Sequence, residues 1–293
     1  MITGEYAVLD GAKAFALPTK MGQDLVLYET EQNNQIHWKS YDFDQSVWLE
    51  VLFNISEITQ NNYSKTKDDV TNVLKKILYE AHLLNPNILP NKGFLVETHL
   101  TFPRNWGLGT SSTLLNNVAQ WFKIDAFDLL KNSFGGSGYD IANAQHKTPI
   151  LYQLTNGKPN IEPVKFNPNF TTNCYFLYLN RKQNSKTAIA NYYSKKIDYN
   201  TITTEIDAIT AEIVTVQDQQ KFESLLQKHE SILSTVLDMQ TVKECYFSDF
   251  VGTIKSLGAW GGDFVLVVSN TNPKSYFESK GFSTLIPYRE MIA

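Results

Sequence analysis

Pro103-Arg104-Asn105-Trp106-Gly107-Leu108-Gly109-Thr110-Ser111-Ser112 lies between two segments of different period. Before it, Gly93 to Thr101 (Gly-Phe-Leu-Val-Glu-Thr-His-Leu-Thr) alternates like a half-buried strand; after it, Leu114, Leu115, Val118, Trp121 and Phe122 recur at helical spacing. The order is strand, glycine loop, helix. Such a turn aims the unpaired N–H groups of the first helical turn, and the positive end of the helix dipole, at one point, which makes it an anion site. Gly107 and Gly109 let the backbone approach a phosphate without a Cβ in the way, while Thr110, Ser111 and Ser112 add hydroxyls for phosphate or for a magnesium ion. The plain alternative is a helix N-cap, a position that Ser and Thr favour with or without a ligand. No Lys follows the second glycine, so the loop is not of the Walker type.

Upstream, the residues from Gly4 to about Leu52 are rich in β-branched and aromatic side chains with frequent alternation, as in Asp24-Leu25-Val26-Leu27-Tyr28 and Gln35-Ile36-His37-Trp38, and predict several consecutive strands. Asp69 to Leu84 places Val70, Val73, Leu74, Ile77, Leu78 and Ala81 on one helical face, closed by Asn85-Pro86. Downstream come a glycine turn at Gly135-Gly136-Ser137-Gly138, a short segment from Tyr139 to Gln145 and a strand-like Pro149-Ile150-Leu151-Tyr152. Pro159, Pro163, Pro168 and several Asn between Thr155 and Asn169 suggest a boundary between two lobes, 1–155 and 170–293. The second lobe opens on a predicted strand, Cys174 to Leu179. It continues with a long amphipathic stripe of Phe222, Leu225, Leu226, His229, Ile232, Leu233, Val236 and Leu237, where His229 is expected to be a satisfied core or boundary histidine rather than a ligand. Near the end, Gly258-Ala259-Trp260-Gly261-Gly262 turns into a buried strand from Asp263 to Val268.

The chain has 293 residues, 42% of them hydrophobic and 13% aromatic, enough for a full core in one large or two medium domains. A net charge of −4 gives no basic field for nucleic acid or anionic lipid, so the expected partners are a small-molecule substrate and, at most, a second copy of the chain. Cys174 and Cys245 are far apart and carry no metal-ligand spacing, which predicts reduced thiols. No apolar run approaches the roughly 20 residues that cross a bilayer, and no basic stretch followed by an apolar one opens the chain. A cytoplasmic protein without membrane contact is expected.

Three separated stretches resemble the GHMP kinases, the family of galactokinase, homoserine kinase, mevalonate kinase and phosphomevalonate kinase. Pro103, Gly107, Leu108 and Gly109 match its phosphate loop, with Thr110 and Ser111 at the positions of its two serines and Ser112 following. Gly4-Glu5-Tyr6-Ala7-Val8-Leu9-Asp10-Gly11 looks like its first motif, a strand bordering the substrate pocket. Lys255-Ser256-Leu257-Gly258-Ala259-Trp260-Gly261-Gly262-Asp263 looks like its third motif, a glycine turn against the nucleotide loop. The Tyr of the first motif and the spelling of the third lean toward phosphomevalonate kinase. Ser137-Gly138-Tyr139-Asp140 resembles the Ser-Gly-x-Asp of mevalonate kinases, where the Asp lies beside the phosphorylated hydroxyl.

The resemblance implies an α+β, two-lobed fold, with a ribosomal-protein-S5-like N-terminal lobe and a ferredoxin-like C-terminal lobe. It implies ATP and Mg2+ as cofactors, and phosphorylation of mevalonate or 5-phosphomevalonate. Ser111 would meet the metal and phosphates. Asp140 would be the catalytic carboxylate, the alternative being a helix cap after a glycine turn. Glu5, Tyr6, Ser137, Gly138, Gly258, Gly261, Gly262 and Asp263 would border the substrate. Ser185, Lys186 and Thr187 would receive a substrate phosphate, or else simply open a capped helix. Other readings are a nucleotide-binding relic without catalysis and a decarboxylase of the same superfamily. Two departures stand out. Only Met1, Ile2 and Thr3 precede Gly4, where the family has a lysine-bearing strand, so either the start lies upstream or that strand is missing. Leu129 and Leu130 occupy the region of the second magnesium carboxylate, with Asp125 and Asp128 nearby.

Overall fold

The computed structural model describes residues 1–31, 34–62, 69–90, 92–181, 189–190, 192–195 and 198–293. Its strands are β1 (Ala14–Ala16), β2 (Gln23–Thr30), β3 (Gln35–Tyr41), β4 (Val47–Asn54), β5 (Gly93–Leu100), β6 (Ile150–Thr155), β7 (Lys158–Pro163), β8 (Cys174–Tyr178), β9 (Thr253–Ser256), β10 (Phe264–Val268) and β11 (Leu285–Pro287). The helices that matter below are α1 (Ile55–Thr59), α2 (Val70–Leu84), α3 (Thr110–Phe122), α4 (Ala126–Ser133), α5 (Tyr139–Ala144), α6 (Tyr199–Thr215) and α7 (Gln219–Leu237). The chain forms two compact units, each discontinuous in sequence. One comprises Met1–Lys20, Asn105–Gly107 and His146–Ala293, the other Met21–Arg104 and Leu108–Gln145.

The second of these units holds a four-stranded sheet of order β2-β5-β3-β4, with β3 parallel to β5 and the outer pairs antiparallel. Helices α2, α3, α4 and α5 supply the other layer. Their apolar faces meet Ile36, Trp38, Phe94 and Val96 of the sheet in a core that includes Leu74, Ile77, Leu78, Leu115, Val118, Phe122, Leu129 and Ile141. Helix α2 begins where the apolar period begins, because the Asp69 side chain accepts the Asn72 N–H at 2.8 Å.

The other unit holds two antiparallel sheets, β1-β6-β7 and β11-β8-β10-β9. It gathers Met1–Lys20 and the C-terminal half because β1 pairs with β6 (Ala14 opposite Tyr152) and Thr3 bridges Phe15 and hydrogen-bonds Thr210 at 2.8 Å. The stretch read from sequence as a lobe boundary, Thr155 to Asn169, carries β7, the second arm of a hairpin. Asn156 and Gly157, both at positive φ (52° and 72°), make the tight turn such a hairpin needs, and Pro159 and Pro163 are tolerated because β7 is an edge strand. A second difference concerns Gly4-Glu5-Tyr6, expected in a strand. These residues form a turn leading into a 3₁₀ helix at Ala7–Asp10, with Tyr6 itself at φ 61°.

Candidate active site

In the unit of residues 21–104 and 108–145, α3 starts at Thr110 behind Gly109, whose φ of 82° only glycine adopts without strain. Gly109 is thus the N-cap, and Thr110, Ser111 and Ser112 are the first three helical residues rather than caps. The first backbone bond of the helix runs from Thr113 N–H to Gly109 O at 2.9 Å, so the N–H groups of the preceding turn have no intrahelical acceptor. The hydroxyls of Thr110, Ser111 and Ser112 make no hydrogen bond among the described residues, and Ser111 is exposed. Thr113 Oγ1 donates to Gln23 Oε1 at 2.9 Å and Asn117 Nδ2 to the Gln23 carbonyl at 2.8 Å, fastening the helix start to β2. Pro103 and Leu108 are half-buried on either side of the glycine turn. Arg104 is held on the sheet: its N–H meets Asp42 Oδ1 at 3.2 Å and its guanidinium lies over the Trp48 ring at 5.2 Å.

Asp140 occupies the first turn of α5, a helix that packs on α3. Its N-cap is Gly138 at φ 80°, where a Cβ would meet the Phe127 ring at 2.9 Å, and Ser137 precedes it half-buried. Asp140 is the second residue of α5, so it is not the helix N-cap. Burial pushes its carboxyl above the ordinary value, against an opposing hydrogen bond with the Tyr139 side chain. The dipole of α5 favours a carboxylate at this end. Of the two acids considered near the expected second carboxylate, Asp125 caps α4 by accepting from Phe127 N–H (2.6 Å) and Asp128 N–H (3.2 Å), and Leu129 and Leu130 are core residues.

In the other unit, Asn105–Gly107 is clasped by β8 and β10. Tyr178 donates its hydroxyl to the Asn105 carbonyl at 2.9 Å, and Trp106 sits edge-on to Phe264 with ring centroids 5.4 Å apart. Gly107 (φ 67°) lies against Asp263, so that a Cβ there would fall inside the Asp263 carboxylate. Asp263 is itself constrained, at φ 43° with its N–H on the Arg181 carbonyl and its carbonyl on the Leu179 N–H, both at 2.7 Å. We expect Gly107→Ala to destabilise the protein by about 1–3 kcal/mol and to weaken any anion bound at the loop, as checked by thermal melts with and without nucleotide.

The glycine turn of the same unit has Gly258 at φ 68° and Gly261 at φ 77°, and Gly262 N–H closes it onto the Ala259 carbonyl at 3.2 Å. Tyr6 is buried, stacks on Tyr192 and accepts the Trp260 N–H at 2.8 Å, so the first and third motif stretches meet. Glu5 also meets the third stretch, but inside the protein. Only 4% exposed, it holds the fully buried Lys255 ammonium at 2.8 Å. Sequence reasoning named Glu5 as a substrate neighbour and Lys255 only as part of a motif; that they pair is written in neither segment. His229 is buried as expected, and its Nε2 accepts the Gly4 N–H at 3.0 Å. Ser185, Lys186 and Thr187 lie outside the described residues. Among the described residues no helix is long and apolar enough to cross a membrane, and both cysteines are free.

No protein-family model matches the chain, and no curated protein matches its sequence. Solved structures do match its fold over nearly its whole length. The mevalonate kinase of Methanococcus jannaschii is 18% identical, with a TM-score of 0.67 over 96% of this chain and 91% of its own. The phosphomevalonate kinase of Streptococcus pneumoniae, solved with phosphomevalonate and AMPPNP, is 16% identical, with a TM-score of 0.69 over 97% and 96%. The galactokinase of Lactococcus lactis, solved with galactose, is 13% identical, with a TM-score of 0.67 over 95% and 85%. All three are GHMP kinases, and the α+β fold of this chain is the GHMP kinase fold.

Proposed function

We propose that the protein is an ATP-dependent phosphotransferase that moves the γ-phosphoryl group onto a small acceptor of the mevalonate class, mevalonate or its 5-phosphate. One observation carries this reading. A single compact unit joins a helix start bearing three hydroxyls, without hydrogen-bond partners among the described residues, to a carboxylate on the adjoining helix α5, held above its usual range. Phosphoryl transfer asks a protein mainly to position two reactants and to stabilise charge. The free N–H groups and hydroxyls of Thr110, Ser111 and Ser112 suit nucleotide phosphates. Asp140 suits the acceptor, whose proton it accepts or whose oxygen it orients.

The donor set also fits Mg2+, which takes one or two protein oxygens and completes its shell with substrate phosphates and water. Ser111 Oγ would hold the ion, with Asp140 as the available carboxylate. Bound there, the ion would supply neutralisation of the charge on the transferring phosphoryl group. The likeness of residues 4–11 and 255–263 to phosphomevalonate kinases, and of 137–140 to mevalonate kinases, supports the acceptor class. Free thiols fit a reducing cytoplasm, where we place the protein.

The test is ADP release from ATP and Mg2+ with mevalonate, 5-phosphomevalonate, 5-diphosphomevalonate, homoserine or galactose. Acceptor-dependent release with one of the first two is expected. Release with homoserine or galactose alone would overturn the acceptor class, and carbon dioxide release with diphosphomevalonate would mark a decarboxylase. ATP binding without turnover on any acceptor would refute phosphotransfer itself.

A further inference from the structure

Four buried polar side chains from three distant segments converge within the unit that contains both chain termini. The Lys255 ammonium of β9 touches Glu5 Oε1 at 2.8 Å and the Ser256 carbonyl at 2.6 Å, with Glu230 Oε2 of α7 at 3.9 Å. Glu230 in turn accepts the Ser256 N–H (3.1 Å) and hydroxyl (2.7 Å). His229 Nε2 stands 3.4 Å from Glu5 Oε2 while accepting the Gly4 N–H. Burial and the neighbouring Lys255 hold His229 well below its ordinary range, so the imidazole is neutral. Among the described residues the cluster therefore contains two carboxyls and a single cation, and Glu5 Oε2 and His229 Nδ1 have no hydrogen-bond partner there.

As a source of stability this arrangement is poor. Apolar residues of the same volume often stabilise as well as or better than a buried ion pair, whereas losing one partner of the pair is severe. What the cluster does supply is geometry. Glu5 is followed by Tyr6, whose hydroxyl receives the Trp260 N–H, and Lys255 begins the segment that runs through Trp260 to Asp263. The turn Gly4–Tyr6 and the glycine turn are thus joined twice, by charge at the base and by a hydrogen bond at the tip. Asp263, at the end of that segment, bears on Gly107.

We infer that Lys255 is a positioning residue: its ammonium, paired with Glu5, sets the segment from Gly258 to Asp263 against Gly107 in the geometry that turnover needs. The inference rests on the phosphotransfer reading above. A misplacement of about 1 Å at a remote position costs roughly 10²-fold in rate, and the loss should fall on kcat.

The experiment compares wild type with Lys255→Met, Glu5→Gln and the double variant Glu5→Met/Lys255→Met, measuring melting temperature, kcat and KM for ATP. Lys255→Met alone leaves two carboxyls buried without a cation and should melt well below wild type. The double variant removes both partners and should recover most of that loss, yet keep kcat at least tenfold down with KM within about threefold of wild type. Recovery of kcat together with melting temperature would reduce the pair to a structural element and overturn the inference. Should the double variant not fold, Glu5→Gln decides. It preserves shape and removes only the charge, and a folded Glu5→Gln protein with wild-type kcat overturns the inference as well. A wild type that releases no ADP overturns phosphotransfer, and this role with it; an active wild type matched by an equally active variant overturns the role of Lys255 alone.

Discussion

Asp140→Asn should lower turnover at least about 100-fold while raising the melting temperature at neutral pH by about 2 °C. The first effect follows from the role: a positioned general base contributes roughly 10²–10⁴-fold, and an amide neither accepts the acceptor's proton nor carries charge toward a metal. The second follows from burial. The folded state holds the Asp140 proton more tightly than the unfolded chain does, since burial raises its pKa. The stability tied to this group is therefore fully present below the unfolded value and is lost as pH rises through the raised folded value. Asn does not ionise and escapes that loss. A shift of about 2 °C corresponds to somewhat under 1 kcal/mol for a chain of this size. The gain should shrink as the pH is lowered toward the ordinary carboxylate range, and the acidic limb of the wild-type kcat profile should lie above that range. Melting curves from pH 4 to 8 beside steady-state rates check both signs. Wild-type turnover in the Asn protein would leave Asp140 as a charge at a helix end and nothing more.

Gly4→Ala should destabilise the protein by about 3–5 kcal/mol, a fall of about 10 °C in melting temperature. Gly4 has φ 93°, and a Cβ there would meet the Ala14 Cα at 2.7 Å and the Lys13 carbonyl at 2.9 Å. These are backbone atoms, fixed by the pairing of β1 with β6, and no side-chain rotation relieves them. The turn would have to lift from β1, breaking the bridge between Thr3 and Phe15 and separating the Gly4 N–H from His229. Circular dichroism melts measure the loss. A change under about 1 kcal/mol would mean that the turn relaxes freely.

Local chemistry was the legible part of this molecule. Asp69 and Asn85 bracket α2, the apolar period of residues 114–122 sits on α3, and the glycine turn before Asp140 opens α5, all because caps and periods act over a few residues. Between Thr155 and Asn169 the prolines concealed a strand, because proline breaks an inner strand but sits easily on an edge, and edge position belongs to the assembled sheet. The outer turn Asn156-Gly157 carried the correct signal in two letters. Tyr6 at φ 61° was not legible, since no propensity places a bulky residue there; stacking on Tyr192 and the bond to Trp260 hold it. The surroundings of Glu5 were equally hidden. A carboxylate in a motif reads as a ligand contact until its partner, 250 positions along the chain, is brought to it by folding.

That separation sets the timing of synthesis. Residues Gly4 to Tyr6 are made more than 200 positions before their partners His229, Lys255 and Trp260, and at about 5–20 residues per second the wait is on the order of ten seconds or more. Through that interval an uncompensated carboxylate and the apolar residues Ile2, Ala7 and Val8 have no finished unit to join, while residues 21–104 and 108–145 are already complete. The nascent chain therefore carries the turn Gly4–Tyr6 without its partners until the strand that bears Lys255 is made.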